Sequence, residues 1–109
     1  MSKDNLESKI FKYNDIISYQ DGSIVSKIIL SKDVGTVTLF AFDKDQKIST
    51  HTTPYQALLQ IIEGTCQVTI DKKEFNLSAL DSIILPANVP HAVFAIGKFK
   101  MVLTMIKSK

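Results

Sequence analysis

Few residues in this chain can do chemistry, and two stand out: His51 and His91, the only histidines among 109 residues. An imidazole ligates divalent transition metals through its unprotonated nitrogen and exchanges a proton near neutral pH. Two such rings brought together make a partial metal site, a general base, or a pair of hydrogen-bonding groups for an organic ligand. Thr53 adds a neutral hydroxyl close by in the chain, and Gln56 an amide. Cys66 stands alone, so the chain holds no disulfide framework and no CxxC metal or redox motif.

The elements that must position these groups read as short strands. Residues 23–30 are rich in Ile and Val, and residues 36–42 alternate β-branched, aromatic and small side chains, with Asp33 and Gly35 between them. Asp43, Lys44 and Asp45 make a turn. Residues 57–62 and 66–70 read as two strands of a hairpin turning at Glu63 and Gly64, with Cys66, Val68 and Ile70 on one face. Asp71 to Lys73 supply a further turn, Phe75 and Leu77 share a face, and residues 82–85 form an apolar run stopped by Pro86. Residues 91–96 and 99–106 finish the pattern, separated by Gly97 and Lys98. Closely spaced strands and no helix-length periodic segment predict an all-β sandwich or barrel over residues 23–109. Residues 1–22, polar from Lys3 and Asp4 through Lys12, are expected to be a partly ordered N-terminal segment, with order beginning near Ile10.

Composition excludes several functions. No run approaches the roughly 18 apolar residues of a membrane span, and the charged start does not resemble a secretory signal, so a cytoplasmic protein is expected. The net charge is only +2, and all thirteen basic residues are lysines. Without the arginine fork that reads phosphate and guanine, no nucleic-acid partner is expected.

The two histidines also carry a family resemblance. His51, Thr53, Ala57 and Gly64 fall at the spacing of the first cupin motif, where HxH, three residues, a glutamate, six residues and a glycine follow one another. Asp81, Pro86, Asn88, His91 and Ala95 fall where the second motif has its GD, its PxG, its histidine and its closing asparagine. The chain thus resembles a small single-domain cupin over residues 23–106, which implies a double-stranded β-helix, a jelly-roll-like barrel. In that family two histidines, a carboxylate and a third histidine bind one divalent metal. Here those positions read His51, Thr53, Ala57 and His91, so two imidazoles remain to hold Zn²⁺, Ni²⁺, Fe²⁺ or Cu²⁺, with Thr53 as an orienting group. A bulge at the strand start would turn Gln56 inward to replace the carboxylate.

Strand parity places Thr53, Leu59, Ile61 and Val68 on the inner wall with Ile83 and Leu85. Val93, Ala95, Phe99, Met101 and Leu103 complete it. The expected ligand pocket is a mostly apolar cup formed by Leu59, Val68, Val93 and Met101, with His51, Thr53, Gln56 and His91 as its polar groups. The resemblance implies either a metal-dependent enzyme of oxygenase or isomerase type acting on a small organic substrate, or a non-catalytic ligand-binding or sensing barrel without metal. The apolar stretch Ile28, Ile29 and Leu30 predicts pairing across a homodimer.

Overall fold

A computed structural model of the protein describes residues 6–107. Lys3, Asp4 and the C-terminal Ser108 and Lys109 of the expected segments lie outside them. After a 3-10 turn at Tyr13–Asp15, seven strands follow: β1 (Ile24–Lys32), β2 (Gly35–Phe42), β3 (Lys47–His51), β4 (Gln56–Ile70), β5 (Lys73–Ser78), β6 (Ser82–Leu85) and β7 (His91–Ile106).

The architecture is governed by β4 and β7, which pair antiparallel along their whole length, from Gln56 opposite Ile106 to Ile70 opposite His91. This long ribbon bends at its middle, so its two halves join different sheets. The first half forms a sheet in the order β1-β2-β7-β4-β6 through residues 99–106 of β7 and 56–63 of β4. The second half forms β3-β7-β4-β5 through residues 91–95 and 65–70. The fold is the all-β jelly-roll barrel expected from the strand pattern.

Two expected turns are absent. Glu63 and Gly64 lie inside β4, and Gly97 and Lys98 lie inside β7. Register shifts between Ile61 and Glu63 and between Gly64 and Cys66 bend the strand rather than reverse it. Gly64 makes that bend possible. Its φ is +85°, and a Cβ there would sit 2.0 Å from the Lys98 carbonyl oxygen. Cys66 accordingly pairs with Ala95 and Leu77, not with a residue near Ile62. The strand β3 was not foreseen, because Lys47-Ile48-Ser49-Thr50-His51 has little β signal of its own and is held by pairing with β7.

The core between the sheets contains Leu59, Ile61, Val68, Val93, Ala95 and Met101, all buried as parity predicts, with Phe42 stacked on Phe99 at a centroid separation of 4.5 Å. A second cluster covers the outer face of the first sheet. There Ile17, with Tyr13, Ile16 and Tyr19, packs on Leu39, Ala41 and Val102. Burial of both faces explains why β2 and the end of β7 read as nearly continuous apolar runs. The N-terminal segment is fastened by polar contacts as well: the Tyr19 hydroxyl donates to Glu63 Oε2 at 2.6 Å, and the buried Lys100 ammonium donates to the Asn14 carbonyl and lies 3.9 Å from Glu63.

Candidate functional site

The bend in the β4–β7 ribbon brings His91, at the start of β7, over residues from the strand's far half. Its neighbour across the sheet is His51, at the end of β3. The register between these strands slips between Ile48 and His51. Simple alternation would put those two residues on opposite faces, yet both line the same cavity, because the irregularity at Ser49 and Thr50 re-aims the chain. The imidazole rings meet edge to face, with centroids 4.5 Å apart.

Each ring is locked the same way. His51 Nδ1 donates to the Ser49 carbonyl at 3.0 Å, and His91 Nδ1 donates to the Val89 carbonyl at 3.2 Å. A carbonyl only accepts, so in the neutral rings the proton is on Nδ1 and the lone pair on Nε2. The approach to each histidine is held by the backbone bond from the Asn88 amide to the Thr53 carbonyl, 2.8 Å, which ties the loop after β3 to the loop before β7. Asn88 takes a φ of +65°, a left-handed conformation that asparagine tolerates well. His91 is 6% exposed, whereas His51 is exposed. Burial holds the His91 imidazole below its ordinary value; the Val89 carbonyl opposes this, and His51 adds a smaller push downward.

The cavity has a volume of about 270 Å³. Of the expected pocket residues, His51, Thr53, Leu59, His91, Val93 and Met101 line it. Gln56 does not: no bulge occurs at the start of β4, so Ala57 takes the inward position and Gln56 is exposed. Val68 is fully buried in the core but lies outside the cavity wall. Leu85 and Leu103 are present as parity predicts, and Ala57 lines the wall at the position of the family carboxylate. Four further residues were not anticipated: Phe40, Ile48, Tyr55 and Met105. The alternation of β2 is a signal that would have found Phe40, and continuing the period past Leu103 would have found Met105. Ile48 and Tyr55 depend on β3 and its following loop, which local sequence does not define.

The profile of the cupin domain family matches residues 38–107. The chain belongs to the cupin family. Solved structures agree in shape. A conserved protein of unknown function from Streptococcus pyogenes superimposes on this cupin with a TM-score of 0.91 at 27% identity, covering 100% of this chain and 97% of that one. A cupin 2 conserved barrel domain protein from Leptotrichia buccalis reaches 0.86 at 35% identity, over 89% of this chain and 47% of its own. A cupin superfamily protein from Desulfitobacterium hafniense reaches 0.86 at 22% identity, over 94% and 93%. No curated protein matches the sequence.

The family's metal can be tested against the donors of this cupin. Catalytic zinc takes three protein ligands, and facial-triad iron takes two histidines and a carboxylate. Ala57 brings no donor, the Thr53 hydroxyl already accepts the Tyr55 amide at 3.2 Å, and Cys66 is fully buried with its thiol pushed up to about 12 by desolvation. Among the described residues no group of three or more His, Cys, Asp or Glu side chains is placed to hold a metal. Two imidazoles alone do not fit a resident catalytic metal centre.

Proposed function

We propose that this cupin binds a small, mostly apolar organic molecule whose hydroxyl group donates a hydrogen bond to an Nε2 of the histidine pair, without a resident metal. The observation that supports this is the pairing of two imidazoles, both with Nδ1 committed to backbone carbonyls, in a cavity otherwise walled mainly by Leu, Val, Ile, Met, Phe and Ala, with Thr53 and Tyr55 beside them. Each Nε2 is then an acceptor in an apolar setting, which favours a donating head such as a phenol or alcohol and an apolar body. A cavity of about 150 Å³ holds benzene. The larger volume here suits a substituted ring or a short branched chain.

Titration calorimetry with 4-ethylphenol and, as the apolar control, ethylbenzene tests this. Saturable 4-ethylphenol binding is expected to persist in chelator and to weaken about tenfold in His91→Leu, the worth of one buried hydrogen bond. Ethylbenzene binding should survive that change. Loss of both, or no binding to the parent chain, would remove the reading.

A second reading is favoured by the same Nδ1 bonds, since metal-bound histidines also donate their other nitrogen to a carbonyl. His51 and His91 would then hold a divalent ion such as Zn²⁺, Ni²⁺, Fe²⁺ or Cu²⁺ with water completing the shell. Elemental analysis of untagged protein against a His51→Ala/His91→Ala variant separates the two: stoichiometric metal lost in the variant supports this second reading.

A further inference from the structure

Tyr55 and Met105, two of the unanticipated wall residues, each line a second cavity as well. It has a volume of about 170 Å³ and is completed by Lys32, Asp33, Gly35 and Thr36, at the turn between β1 and β2. One aromatic residue and one methionine are thus common to the walls of both spaces. Both partners suit movement. Met105 is an unbranched, readily rearranged side chain. Tyr55 belongs to the segment between β3 and β4, outside any strand.

Beneath the wall of the second cavity lies an anomaly. Thr36 Oγ1 is buried and, among the described residues, is the one buried side-chain oxygen or nitrogen with no hydrogen-bond partner. A shut-away hydroxyl without a partner is costly, and proteins retain few of them. Its position connects it to the histidine cavity. Thr36 lies opposite Met105 in the β2–β7 register, on the face of β2 that carries Phe40 into the cavity wall. From Phe40 to Thr36 the strand advances about 13 Å. Lys32 stands at the same end with Asp33 beside it, so a ligand acceptor that reaches the Thr36 hydroxyl also comes within range of an ammonium.

We propose that the histidine cavity is one end of a longer binding site that continues past Tyr55 and Met105 to Thr36 and Lys32. Its ligand is an elongated apolar molecule with a hydroxyl at the histidine end and a carboxylate at the other. This rests on the small-molecule reading above. Withdrawal of the Tyr55 and Met105 side chains joins the two spaces, and the unpartnered Thr36 hydroxyl then donates to the carboxylate.

The test uses the full chain and a series of ω-(4-hydroxyphenyl)alkanoates of increasing chain length, each beside the 4-alkylphenol of equal length, with 4-ethylphenol as the short reference. At one chain length the acid should bind about tenfold more tightly than its alkylphenol, as expected for a charge-assisted hydrogen bond. Thr36→Val and Lys32→Met should each abolish that preference, Thr36→Ser should restore it, and 4-ethylphenol should bind all variants as it binds the parent, which also shows that they are folded. Acids that never exceed their alkylphenols, or that exceed them equally in Thr36→Val, overturn the proposal while 4-ethylphenol binding still supports the small-molecule reading. Failure of every probe overturns both.

Discussion

At the scale of single residues the site is defined by where protons and unpaired groups reside. His91 is nearly buried, and its imidazole is held below the ordinary value near 6.5. As pH falls from that ordinary value towards the lowered one, the unfolded chain takes up a proton before the folded chain does. The unfolding free energy therefore rises with pH in this window and falls on acidification, while above it this group contributes no slope. Urea midpoints measured against pH should show that loss below about pH 6.5, and His91→Leu should flatten it. Thr36 offers a second test. Its buried hydroxyl has no partner, so Thr36→Val, which keeps shape and removes the oxygen, is expected to stabilise the fold by about 1 kcal/mol, read from denaturant unfolding. A stabilising change at a residue that also sets ligand preference is the usual relation between function and stability. Both histidines were legible in the sequence through their spacing. Tyr55 and Thr36 were not, because a loop residue and an unpaired hydroxyl acquire meaning only from what surrounds them.

At the scale of elements, the β4–β7 ribbon decides the geometry, and its bend depends on one backbone position. Gly64→Ala would place a methyl group against the Lys98 carbonyl and the Phe99 Cα while forcing alanine to a φ of +85°. A loss of more than about 2 kcal/mol is expected in equilibrium unfolding, because the clash is with backbone and cannot be relieved by a rotamer change. The strands themselves were visible as alternating apolar residues, and the inner wall from Leu59 to Met101 followed from parity. The errors have a common cause. Gly64 and Gly97 signal turns when only neighbours in sequence are considered, whereas in the fold each strand continues because its partner runs alongside it without interruption. An inward Gln56 requires a bulge at the strand start, but the register slips occur further along, at the bend.

For the whole molecule, β1 forms one end of the strand order and leaves its outer edge unpaired among the described residues. Ile28 and Leu30 are 66% and 57% exposed, and Val34 beyond them is 70% exposed. An apolar edge of this kind predicts pairing with a second copy about a two-fold axis. Sedimentation velocity is expected to show a dimer at micromolar concentration and a monomer for Ile28→Lys/Leu30→Lys; a monomeric parent chain would refute it. The sequence by itself determined the all-β class, the cupin family, the two histidines and most of the apolar wall, because these follow from alternation and spacing that are local in the chain. Only the tertiary structure decided that His51 and Ile48 share a face, that Tyr55 and Met105 line two cavities, and that the Thr36 hydroxyl is buried without a partner. Those facts arise from register slips and from the folding of one long ribbon onto itself, which join residues whose separation in sequence carries no periodic signal.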